Sequence, residues 1–216
     1  MRDTAAVIAH IGQAFEENAF PGAGFLQGSF DGCEPYEAVS PFQTQHEWRG
    51  LNAAFLDAHA NALNFFSEAG FRFFLPAYLI ADVEGELRVA DPVFHVTHGF
   101  SDTVVQVPTP GRVFVMRHGP SAFINPRRYG AATWYDYARY RLSVFTREEA
   151  RAIVAYLECR RGADPASVDH AAIEAALQGF WRERAQTAPL AASLQQHLAE
   201  QEVYLAAMRA ASQERQ

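Results

Sequence analysis

The sequence predicts a mainly α, compact helical domain with a small antiparallel β-meander inserted near residues 93–118. Three observations predict it. Apolar residues recur at helical spacing on both sides of the middle. Capping residues (Ser67, Thr133, Thr146) stand just before those runs. The middle alone is β-branched and cut by Gly, Pro and Asp. The 216 residues, 49% apolar with a formal net charge of −7, suit a single domain over 1–216. Its helical core is expected at 45–84 and 133–211, the small sheet at 92–119 and a frayed tail at 212–216.

Thr4 to Asn18 reads as a first helix, with Val7, Ile8, Ile11 and Phe15 on one face. Phe20 to Phe42 is rich in Gly, Pro, Ser and Asp and reads as a long ordered loop, held down by its aromatics. Glu47 to Phe66 returns to helix in two pieces. Ser67 caps the next helix, Phe71-Arg72-Phe73-Phe74-Leu75-Pro76-Ala77-Tyr78-Leu79-Ile80, which is apolar nearly all round and should be the central buried element. Pro76 should kink it or mark a restart. Val93–Gly99, Thr103–Val107 and Val113–Gly119 are the three expected strands. Thr133 then caps a helix with Trp134, Ala138, Arg141, Leu142 and Phe145 on one face. Thr146 caps Arg147 to Arg160, whose acids (Glu148, Glu149) and bases (Arg160, Arg161) suit the helix dipole at each end. Asp169 opens a helix through Trp181, and Pro189 opens the last.

The 18 basic residues are all arginine, because the chain has no lysine. The first half is acidic and the second basic, with Arg112 to Arg161 the most cationic stretch. The acidic whole argues against nucleic acid as a partner, since phosphate binding scales with net cationic contacts. The two cysteines, Cys33 and Cys159, make no disulfide framework. No apolar run reaches the ~18 residues of a membrane span, and Met1 to Phe15 has no export-signal pattern. A cytoplasmic protein is the expectation.

Val115-Met116-Arg117-His118-Gly119 resembles the signature of histidine phosphatases, and Val96-Thr97-His98-Gly99 resembles that family's second histidine motif. The resemblance implies catalytic roles for His98, Arg117 and His118 in hydrolysis or phosphoryl transfer. A meander would set His98 and His118 at the same end of two strands about 10 Å apart. The order and the 20-residue spacing depart from that family, and the plainer reading is two histidines at strand ends. His95 is a weak candidate metal ligand with His98: residues three apart share a face on a helix but not on a strand, and a strand is expected, so no metal site and no cofactor are predicted. Arg127, Arg128, Tyr129 and Tyr137 belong to a stretch that interleaves arginine with aromatics, as protein interfaces do. Arg72, alone in an apolar helix, needs a partner; Asp82, Glu84 and the acidic N-terminal loop are the candidates, and an anion pocket is the alternative.

The run Trp48…Ala62-Leu63-Asn64-Phe65-Phe66…Phe71-Arg72-Phe73-Phe74-Leu75-Pro76-Ala77-Tyr78-Leu79, with Phe145-Thr146-Arg147-Glu148-Glu149-Ala150 and the helix ending in Phe180-Trp181, resembles a family of mainly helical bacterial proteins of unknown function. Phe-Arg-Phe-Phe-Leu-Pro-Ala-Tyr is its most specific piece. The resemblance implies a compact helical protein of immunity or accessory type, with no catalytic residues to transfer. The expected function is therefore a non-catalytic binding protein acting on a protein partner.

Overall fold

The computed structural model describes residues 3–100, 103–109, 111–118, 133–163, 166–188 and 191–214. The described chain is mainly helical. In chain order it forms α1 (Thr4–Ala14), α2 (Glu34–Val39), α3 (Ala53–Ala58), α4 (Ala62–Phe65), α5 (Glu68–Val83) and α6 (Pro92–Thr97). A hairpin of β1 (Thr103–Thr109) and β2 (Arg112–His118) follows, then α7 (Trp134–Leu142), α8 (Arg147–Ala163), α9 (His170–Ala176), α10 (Arg182–Thr187) and α11 (Ala191–Gln213). A π turn, Leu177–Trp181, joins α9 to α10 without a break.

The core is built around α5. Ser67 caps it, its hydroxyl accepting from the Gly70 N–H at 2.9 Å. Phe71, Phe74, Leu75, Tyr78 and Leu79 are fully buried, each such side chain contributing roughly 1.5–3 kcal/mol by leaving water. The helix runs unbroken through Pro76. Helices α1, α6 and α8 pack against it. Its entry is pinned by the preceding loop: the Ser67 N–H donates to the Leu26 carbonyl and the Gly28 N–H to the Phe65 carbonyl, both at 2.7 Å. Gly28 is required here, because a Cβ would lie 2.7 Å from the Phe66 carbonyl oxygen. The Phe20–Phe42 segment thus holds order of its own, including α2, and buries Phe42 against Phe55, Phe66 and Phe74.

One expected strand is a helix. Residues 92–97 form α6, so the three-stranded meander is not formed and β1 pairs only with β2, antiparallel, from Thr103 opposite His118 to Thr109 opposite Arg112. The reason is local. Pro92 takes the first turn, where its missing N–H costs nothing, and the Asp91 carboxylate caps the helix by accepting from the Phe94 N–H at 2.9 Å. Val93, Val96 and Thr97 then fall on one buried face. The Thr97 hydroxyl donates back to the Val93 carbonyl at 2.8 Å.

Candidate functional site

Helix α6 is held from behind. The Trp181 indole N–H donates to the Val96 carbonyl at 2.7 Å, and Phe100, just past the helix, stacks on Phe180 at 5.3 Å. The π turn therefore fixes the depth and rotation of α6. In front of it lies α7, capped by Thr133, whose hydroxyl accepts from the Asp136 N–H at 3.1 Å. The two helices meet at Gly99, which has φ +95°; a Cβ there would sit 2.9 Å from both the Ala138 Cβ and the Trp134 carbonyl oxygen. Only glycine allows that approach.

Between α6 and α7 is a cavity of about 270 Å³, lined by Phe94, His95 and His98 from α6, by Trp134, Tyr137, Ala138, Arg141 and Leu142 from α7, and by Asn64 from α4. The helical spacing of three places both histidines on it. The His98 ring lies 4.7 Å from Phe94 and 5.2 Å from Trp134. The His95 ring lies 5.3 Å from Phe94 and 6.4 Å from Phe71. Burial pushes the His95 pKa down to about 3, with the Arg141 guanidinium and His98 adding to the effect, so its imidazole is neutral at pH 7. Arg141 donates through Nη2 to the Leu63 carbonyl at 2.6 Å and lies 4.5 Å above the Phe71 ring centre. Among the described residues the lining carries that one cation and no carboxylate. Such a cavity accepts an apolar or planar body with a negative end.

The structure thus brings together three of the residues singled out in the sequence, His95, His98 and Tyr137. It separates others. His98 ends α6 and not a strand, so it does not share a sheet edge with His118. The backbones of Arg117 and His118 close β2, while their side chains lie outside the described structure. Arg127, Arg128 and Tyr129 lie outside the described residues altogether. Among the described residues no group of three or more His, Cys, Asp or Glu is placed to hold a metal ion.

Arg72 sits elsewhere, and its partner is Glu149: Nε lies 3.0 and 3.1 Å from the two carboxylate oxygens and Nη2 2.9 Å from one of them. Asp82, one of the candidate partners, instead takes the Tyr156 hydroxyl and Arg160. Sequence reasoning did not select Asn64, Trp134 and Arg141 as site residues. The available signal was Arg141 itself, a cation on the same helical face as Trp134, Ala138 and Leu142. Among the described residues no helix is long and apolar enough to cross a membrane. No protein-family model, curated protein or solved structure matches the chain, so a functional reading rests on the chemistry of the α6–α7 cavity.

Proposed function

We propose that the protein is a non-catalytic binding protein, of immunity or accessory type, that acts on a protein partner through the face formed by α6 and α7. The observation that carries this reading is an aromatic and cationic rim around a cavity the size of one side chain. Phe94 is 46% exposed on that rim, and Trp134, Tyr137 and Arg141 line the cavity beside it. Tyr, Trp and Arg are the residues that most often dominate interface energetics, above all where they surround a pocket. The Arg127–Tyr129 stretch precedes α7 in sequence and lies outside the described residues. The alternative, phosphoryl transfer by His98, Arg117 and His118, loses the strand-end pairing that motivated it.

The test is capture with the immobilised chain, followed by measurement of the purified captured protein against variants. Phe94→Ala combined with Trp134→Ala should weaken binding at least tenfold while the circular dichroism spectrum stays unchanged. Equal affinity for the variant would remove this face from the contact.

A further inference from the structure

The cavity between α6 and α7 is lined by two polar groups whose hydrogen-bonding capacity is not filled among the described residues. Arg141 has five N–H donors, and one bond, to the Leu63 carbonyl, is made among the described residues. It forms no ion pair there, although it is only partly exposed. Other arginines of the helical body are matched by acids: Arg72 by Glu149, Arg160 by Asp82, and Arg161 by Glu174. Arg184 is occupied by the carbonyls of Ser143 and Phe145. Arg141, like Arg184, Arg49 and Arg209, is held by a backbone carbonyl and not by an acid, and of these four it is the one that lines the α6–α7 cavity. The second group is His95, whose ring contacts Phe71 and Phe94 and has no hydrogen-bond partner among the described residues. A neutral imidazole offers one donor and one acceptor.

The rest of the described wall is mostly aromatic, Phe94, His98, Trp134 and Tyr137, with Asn64, Ala138 and Leu142 beside them. A volume of about 270 Å³ lies at the small end for ligand sites and matches one amino-acid residue better than a cofactor. A guanidinium that meets a carboxylate in such surroundings makes a short, charge-assisted and often bidentate contact. We infer that the cavity receives the C-terminal residue of the protein partner, its terminal carboxylate on Arg141 and its aromatic or large apolar side chain among Phe94, His98 and Trp134. This rests on the α6–α7 face being the docking surface. An aspartate or glutamate side chain would supply the charge but leave the aromatic wall uncovered. A phosphate would do the same.

N-acetylphenylalanine is the probe, with its primary amide, N-acetylaspartic acid amide and inorganic phosphate as comparisons. Each is titrated into the full chain by calorimetry, while the side-chain carbon–proton signals of His95 and His98 are followed by NMR. N-acetylphenylalanine should bind, shift both histidines, and exceed the amide at least tenfold in affinity. Arg141→Met should remove that preference, and Arg141→Lys should keep part of it. If Arg141→Met does not fold, the acid–amide comparison in the unaltered chain decides alone. Equal binding of acid and amide overturns the carboxylate. Equal binding of N-acetylaspartic acid amide or phosphate overturns the C-terminal residue, and no shift at His95 with any probe overturns the site. Each of these leaves the docking surface to be judged by the Phe94 and Trp134 variants and the captured partner.

Discussion

A histidine that cannot take up its proton until the chain unfolds makes stability depend on pH with a definite sign. The His95 pKa lies at about 3 in the folded protein because of burial, and the unfolded chain titrates near 6.5. Between those values the unfolded state holds more protons, so stability falls as pH is lowered through the window and is fully present above it. His197, also pushed down by burial, acts in the same direction. Asp82, pushed up by burial, acts in the opposite one. Urea unfolding at pH 6.5, 5.5 and 4.5 isolates His95 by comparison. His95→Gln should lose less stability per pH unit than the unaltered chain, the difference approaching about 1.4 kcal/mol per unit. Parallel slopes would mean that the imidazole is charged in the folded state. The pairing of His95 with His98 was half legible in the sequence. Their spacing is plain, but it places them together only on a helix. The Asp91-Pro92 start makes the segment a helix, whereas the strand reading rests on the β-branched Val93, Val96 and Thr97 and on the repeat with Val113–Gly119.

Two helices are joined by one carboxylate. Glu149 closes a capping box at the start of α8: its Oε2 accepts from the Thr146 N–H at 2.7 Å, and its own N–H donates to the Thr146 hydroxyl at 3.4 Å. The same carboxylate, 1% exposed, holds Arg72 of α5, 21% exposed. Glu149→Ala removes the cap and leaves a partly buried guanidinium unpaired, which should cost about 3 kcal/mol. The double variant Arg72→Met, Glu149→Met should recover most of that loss, since apolar side chains of similar size substitute well for such pairs. Urea midpoints for the single and double variants check this, and a double variant no better than the single would contradict it. At this scale caps and dense apolar runs were the readable part. Ser67 starts α5 and Thr133 starts α7, both in the expected places. The partner of Arg72 was not readable, because 77 residues separate it from Glu149 and a local pattern cannot choose among distant acids. The π turn at Leu177–Trp181 was also hidden. It adds no signature to the composition, yet it is what turns Trp181 toward α6.

Across the molecule, among the described residues, the segment up to Phe100 and the segment from Thr133 onward form the core. Val7, Ile11, Phe71, Phe74 and Leu79 come from the first; Phe145, Ile153, Leu157 and Trp181 come from the second. The chain leaves the first at Gly99 and re-enters the second at Trp134, and those two residues are in contact. A link from Phe100 to Thr133 therefore needs only a few residues to replace 101–132. A two-stranded hairpin such as β1–β2 adds little independent stability. The shortened chain should unfold cooperatively within about 4 °C of the full one, the shift that ~1 kcal/mol produces at this size. Loss of a cooperative transition would show that residues 101–132 belong to the folding unit.

The contact between Gly99 and Trp134 has another consequence. The two segments adhere through α1 and α5 against α8, through Arg72 on Glu149, and through the Trp181 indole on Val96. None of those attachments uses the peptide bonds of 101–132. For those attachments the covalent link through 101–132 sets the effective concentration at which one segment meets the other. Severed there, the protein becomes a heterodimer of its own fragments, and its melting temperature, fixed for an intact chain, rises with protein concentration.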